Sequence, residues 1–218
     1  MNLRRVPAVL AVSVCSVFAA PIPRHALRMD GALTERSGRT PREIGEAYTA
    51  QQMAQAGIPQ SAGLYLANEY KTAANGVTHL TYRQRFQGLD IYGMEWRVNI
   101  DAEGQVLNAG GQLFQAPAGG PASSARLAEA ARVALGGGNV RRSGMTSRAQ
   151  ARFVAGGQSE VLAEPVWYPF RGTLQAAFHM IVTEEDGVTS HDVIVDGLRP
   201  AVAEQVLSKQ KICERASF

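Results

Sequence analysis

Between Gly76 and Leu107 the chain reads GVTHLTYRQRFQGLDIYGMEWRVNIDAEGQVL, and that order of residues leaves little choice of local structure. Leu80, Tyr82, Gln84 and Phe86 alternate with Thr81, Arg83 and Arg85, the period-two pattern of a half-buried strand. Met94, Trp96, Val98 and Ile100 alternate in the same way with Glu95, Arg97, Asn99 and Asp101. Ala102-Glu103-Gly104 then turns the chain into a third strand, Gln105 to Ala109. Between the first two strands lies Gln87-Gly88-Leu89-Asp90-Ile91-Tyr92-Gly93, where two glycines open backbone angles that other residues avoid. This predicts a shaped, partly apolar tip on an antiparallel sheet.

These residues resemble the FTP (fungalysin/thermolysin propeptide) domain, and within it the prosegments of fungalysin-type zinc metalloproteases. The resemblance rests on Gly76-Val77-Thr78-His79, on Gln84 followed by Gly88, on Leu89-Asp90-Ile91-Tyr92-Gly93, and on Asp101, Gly104 and Val106. Leu89 and Tyr92 depart mildly from the family's Ile and Phe. A helix start at Thr40-Pro41-Arg42-Glu43-Ile44 is similar to the family too, which extends the resemblance from about Thr40 through Phe114.

At the start of the chain, Arg4 and Arg5 precede an apolar run from Val6 to Phe18 and a small-residue site at Val17-Phe18-Ala19. Residues 1–20 therefore read as an export signal, too short for the ~20 apolar residues that span a bilayer. A buried N-terminal helix and a lipid anchor at Cys15 are the alternatives. Without Arg4 and Arg5 the basic residues nearly balance the 19 acidic ones, so neither nucleic acid nor stable membrane insertion is implied. Cys213 would then be the only cysteine, which excludes an intrachain disulfide scaffold. Residues 21–39, rich in Pro, Arg, Gly and Ser, read as a flexible leader. Thr40, Pro41 and Glu43 form a capping box that opens a helix, closed by Gly57 and Pro59.

Residues 116–124 are a Pro/Gly/Ala/Ser linker between a first unit, 40–115, and a second, 125–200, followed by a C-terminal tail, 201–218. In the second unit Ser123 or Ser124 is expected to cap a helix ending at Gly136-Gly137-Gly138. Four strand-like runs follow: Ala151 to Ala155, Glu160 to Trp167, Thr173 to Thr183 and Val188 to Val195. Helix followed by antiparallel strands thus occurs twice, an α+β class. The family resemblance implies two cystatin-like or PepSY-like units, each a helix packed on an antiparallel sheet.

The residues that carry chemistry elsewhere are scattered here. No H-E-x-x-H occurs, and His25, His79, His179 and His191 lack i, i+4 spacing, so no helical zinc site, metal site or cofactor is expected. Glu184 and Glu185 sit at the turn Asp186-Gly187, without cleft walls to separate their acidities. Gly136-Gly137-Gly138-Asn139 lacks the following Gly-Lys-Ser/Thr of a phosphate loop. Arg141-Arg142 reads as a solvated pair or a processing site. The candidate site is instead the tip, with Gln84, Gln87, Gly88, Leu89, Asp90, Tyr92 and Gly93 as partner-binding residues and no catalytic ones. The export signal implies a secreted or periplasmic protein, and the resemblance implies one that binds, folds or inhibits a fungalysin-type metalloprotease catalytic domain without being an enzyme. The front piece of a split or truncated metallopeptidase, and a general extracytoplasmic PepSY-like binding module, stay open at this point.

Overall fold

The computed structural model describes residues 31–145, 150–155, 159–184, 186–187, 189–199 and 202–206, the last as backbone. The export signal, Cys15, His25, Gly156-Gly157, Glu185 and Cys213 lie outside the described residues.

The first helix, α1 (Pro41–Gln55), starts where the sequence places it. Thr40 Oγ1 accepts the Glu43 N–H at 3.3 Å while the Glu43 carboxylate accepts the Thr40 N–H at 2.8 Å, so both partners of the capping box are present. The Thr40 hydroxyl, which donates to the same carboxylate at 2.7 Å, and the Thr40 N–H hold the Glu43 carboxyl below its usual range. Five strands follow: β1 (Leu64–Lys71), β2 (Thr78–Phe86), β3 (Leu89–Asp90), β4 (Trp96–Ile100) and β5 (Val106–Gly111). They form an antiparallel sheet in the order β1-β2-β4-β5, with β3 paired to β2. α1 lies against β2, β4 and β5. Gly45 permits this close approach, since a Cβ there would stand 2.3 Å from Leu80 Cδ1. Trp96 Nε1–H donates to Thr49 Oγ1 at 3.1 Å, both residues being buried.

A short 3-10 helix (Ser124–Arg126) leads into α2 (Leu127–Ala134). Ser123 is the N-cap of the 3-10 turn but makes no side-chain cap bond, contrary to the expected serine cap; neither serine directly precedes the α-helix. The second sheet is an antiparallel meander of six strands in sequence order: β6 (Val140–Met145), β7 (Ala151–Ala155), β8 (Glu160–Phe170), β9 (Thr173–Thr183), β10 (Ser190–Asp196) and β11 (Val202–Val206). α2 touches β6 through β10 and buries Leu127, Ala130 and Ala131. The described residues thus form two antiparallel sheets with two short α-helices and a 3-10 turn.

Four stretches differ from the sequence reading. Residues 33–37, read as part of a flexible leader, are pinned to the first sheet. Leu33 N–H donates to the Val106 carbonyl at 2.6 Å, Ser37 N–H to Glu103 at 3.3 Å, and Thr34 Oγ1 accepts the Val106 N–H at 2.9 Å. Gly104 makes room for them with φ +76°, because a Cβ there would fall 2.1 Å from the Ser37 carbonyl oxygen. The C-terminal tail contributes β11. The edge strands β1 and β6 were unmarked in sequence because they are mostly exposed and lack an alternating apolar face.

One apolar core runs through both sheets. It joins Ile44, Leu80, Trp96 and Val98 of the first unit to Trp167, Phe178 and Met180 of the second through Phe86 and Ile91.

Candidate functional site

The connection between β2 and β4 begins with a two-residue turn, Gln87 (φ 50°) and Gly88 (φ 81°), whose positive angles suit the twist of a tight hairpin. β3 then pairs back on β2, with Asp90 opposite Arg85 and Leu89 opposite Phe86. The next residues leave the first sheet. Ile91 forms a parallel bridge to Trp167, and Tyr92 N–H donates to the Trp167 carbonyl at 2.9 Å. They reach β8 beyond the part that pairs with β7, where that strand edge is open. Trp167 returns the contact, its indole Nε1–H donating to the Phe86 carbonyl at 2.8 Å while the ring is 1% exposed.

The structure therefore divides the seven predicted partner-binding residues. Gln84 is buried, and its amide donates to the carbonyls of Phe114 (2.9 Å) and Ala62 (3.3 Å) and accepts the Phe114 N–H (2.7 Å). It is a clasp inside the unit and presents nothing to a partner. Tyr92 is half-buried in the second sheet, its ring 4.6 Å from His179 and 6.3 Å from Tyr168. Leu89 is half-buried and packs against the core. Gln87, Gly88 and Gly93 are exposed, and Asp90 is half-exposed. Gln87 donates to the Gly119 carbonyl at 3.4 Å, and Asp90 is held by Arg85 (2.7 Å) and the Tyr65 hydroxyl (3.2 Å). The tip is mainly an internal fastening with a small exposed crest.

Beneath Tyr92 the second sheet carries a charged row across three strands. His179 of β9 meets Asp192 of β10 at 2.7 Å through Nε2 and Glu164 of β8 at 3.3 Å through Nδ1. Burial opposes a charge on His179, yet hydrogen bonds to Glu164 and Asp192 outweigh it and raise its pKa above 6.5. No group of three or more His, Cys, Asp or Glu among the described residues is arranged to hold a metal. His79 is also engaged, sharing hydrogen bonds with Asn99 (2.7 Å) and Thr72 (2.9 Å).

A constellation that sequence reasoning did not assemble lies on the other face of the first sheet, away from α1. Glu95 accepts Arg83 on one carboxylate oxygen and Arg97 on the other, each at 2.7 Å, which holds its carboxyl below the usual range. Alternation along β2 and β4 put these charges on one face; only the register, Thr81 opposite Arg97 and Tyr82 opposite Trp96, brings them together.

With this geometry in hand, similarity to known proteins can be placed on it. Residues 62–113 match the Fungalysin/Thermolysin Propeptide Motif. That FTP motif comprises β1 to β5, and the Gln84 clasp ties its first residue, Ala62, to Phe114, the residue just after its last. α1, which the sequence resemblance included, precedes it. The chain is 32% identical over 66 residues to Extracellular metalloproteinase 3 of Trichophyton equinum, covering 30% of this chain and 10% of that protein. It is 33% identical over 81 residues to Extracellular metalloproteinase mep of Aspergillus niger, covering 37% and 13%. The chain thus spans only about a tenth of the relatives it matches. The Bacillus megaterium YpeB C-terminal domain superposes on 83% of this chain and 70% of its own with 11% identity and a TM-score of 0.30, too loose to establish a shared fold. No helix among the described residues is long and apolar enough to cross a membrane.

Proposed function

We propose that this chain is an exported, non-catalytic, prosegment-like protein that binds a fungalysin-type zinc metalloprotease domain, helping it to fold or covering its cleft. The observation that carries this reading is the FTP motif at residues 62–113, which falls on the first antiparallel sheet, in a chain similar to extracellular metalloproteinases. The sequence holds no H-E-x-x-H, so the catalytic zinc would belong to the partner domain, whether a separate chain or a continuation of this one. Binding of this kind needs complementary surface, ~800 Å² on each partner, rather than reactive atoms. The helix preceding each sheet supports a tandem of cystatin-like or PepSY-like units as the scaffold for that surface.

The test mixes the purified chain with the catalytic domain of the Aspergillus niger metalloproteinase and follows cleavage of a peptide substrate. The expected result is saturable slowing with micromolar or tighter affinity, the range that interfaces of ordinary size give. Unchanged hydrolysis with no heat of binding would overturn the reading.

A further inference from the structure

The face of the first sheet opposite α1 is open, and its polar residues are held in fixed positions. A hollow of about 540 Å³ is lined by Tyr70, His79, Arg83, Glu95, Arg97 and Asn99. A second, of about 410 Å³, shares Glu95, Arg97 and Asn99 and is bounded by the bare backbone of Gly110 and Gly111 on β5. The two make one trough across the sheet with Arg97 between them. At one end Tyr70 is 54% exposed and stacks on His79 with ring centres 4.5 Å apart. His79 is fixed by Asn99, and Asn99 in turn by Asn108. Outside the trough, further along β2, Arg85 lies 4.8 Å from the centre of the Tyr65 ring and is paired with Asp90.

Two guanidiniums, Arg83 and Arg97, share one carboxylate, Glu95, among the charged residues that line the trough, so it carries a net positive charge. The side chains of Arg83 and Arg97 are 48% and 68% exposed, so their pairing with Glu95 adds little to stability. What the pairing does is hold two guanidiniums side by side. Arg97 uses Nε and Nη2 on Glu95, which leaves Nη1 without a partner among the described residues. Fixed arginines beside exposed tyrosine have the composition of an interface centre, and their ordering cost is already met in the free protein.

We infer that this trough is the docking face of the first unit, and that it receives an acidic patch of a protein partner whose carboxylates seat on Arg83 and Arg97. Guanidinium forks recognise carboxylates bidentately, which fits this chemistry better than an apolar insertion would. The inference rests on the prosegment reading, in which the partner is a metalloprotease domain. It moves the contact from the tip, most of which is used internally, to the open face of the sheet.

The experiment titrates the full chain and its R83E/R97E variant into the catalytic domain of the Aspergillus niger metalloproteinase, by calorimetry at low and moderate salt. The wild type should bind more weakly as salt rises, and the reversal should weaken low-salt binding at least about tenfold and flatten the salt dependence. Equal affinity and equal salt dependence for the two proteins would overturn the inference while leaving the prosegment reading intact. No binding by the wild type would overturn both. Should R83E/R97E show an altered circular dichroism spectrum, Arg97→Ala takes its place with an expected loss of about threefold or more, and no change in its affinity would again refute the docking face.

Discussion

The two sheets of this molecule bury their residues by different rules. Along β2 every second side chain is buried, Thr78, Leu80, Tyr82, Gln84 and Phe86, and those between are half-buried or exposed. Along β9 three consecutive residues, Ala176, Ala177 and Phe178, are buried, and His179 is nearly so. The first sheet has α1 on one face and an open trough on the other. The second has α2 on one face while Tyr92 and Tyr168 cover Val166, Ala177 and Ile194 on the other. The element that makes the difference belongs to the first unit, since Tyr92 comes from the hairpin tip. A motif that looks self-contained therefore completes its neighbour, and its most conspicuous loop is fixed by doing so.

Trp167 tests that fastening with the largest expected effect. Its indole fills the space beside Phe86 and Ile91 and donates to the Phe86 carbonyl. Trp167→Ala should cost about 3–5 kcal/mol in urea unfolding, from a large cavity plus an unpaired buried carbonyl. It should also separate the melting of the two sheets, resolved by near-ultraviolet and far-ultraviolet signals. A loss below about 1 kcal/mol with one shared transition would mean that the sheets are joined elsewhere and that the tip is a minor contact.

Where one face of an element is wet, the sequence was a good guide. Leu80, Tyr82, Trp96, Val98 and Ile100 could be assigned to the core from alternation, and Thr40 with Glu43 marked the start of α1. The tip could not be read in this way. Ile91 and Tyr92 look like an apolar crest because their partner, Trp167, is distant in sequence, and no local pattern encodes a parallel bridge to an open strand edge. Gln84 drew attention as part of a family pattern, but its purpose, tying Ala62 to Phe114, requires knowing that both ends of the motif pass beneath it. The arginines of the trough were legible singly and not as a set, because charge pairing across strands depends on register. β1 and β6 went unread for a plainer reason: edge strands with solvated sides carry little hydrophobic signal.

A middle-sized effect is expected at Gly45, where α1 meets the first sheet. In an exposed helix Gly→Ala stabilises by up to about 1 kcal/mol. Here the new methyl would meet Leu80 Cδ1 at 2.3 Å and the Tyr82 hydroxyl at 2.9 Å. Tyr82 has little freedom to retreat: it is 2% exposed, its hydroxyl lacks a partner among the described residues, and burial pushes its pKa up to about 12. Overpacking of about 1–3 kcal/mol should outweigh the propensity gain, so Gly45→Ala should lower the melting temperature. A rise in melting temperature would show that the helix stands off the sheet, and the one-sided burial of β2 would need another cover.

The smallest effect concerns the row under Tyr92, and it asks whether the covered face of the second sheet senses pH. Three groups face His179 from the neighbouring elements: Glu164 from β8, Asp192 from β10 and the Tyr92 ring from the tip. Burial alone would favour the neutral ring, but the two carboxylates prevail and the folded pKa lies above the ordinary 6.5. A group whose folded pKa is raised stabilises the fold fully below its unfolded value and loses that contribution as pH rises through the folded value. The melting temperature of the wild type should therefore fall from about pH 6.5 upward until the ring is neutral. His179→Gln keeps a hydrogen-bonding side chain but cannot titrate, so its curve should lack that fall while its melting temperature at high pH stays close to wild type. If the Trp167→Ala protein, with the tip loosened, shows a weaker pH dependence than wild type, then the tip and the histidine row are coupled through Tyr92. If wild type and His179→Gln have the same slope above pH 6.5, the row is a neutral hydrogen-bonded ladder, and the second sheet's covered face owes its stability to packing alone.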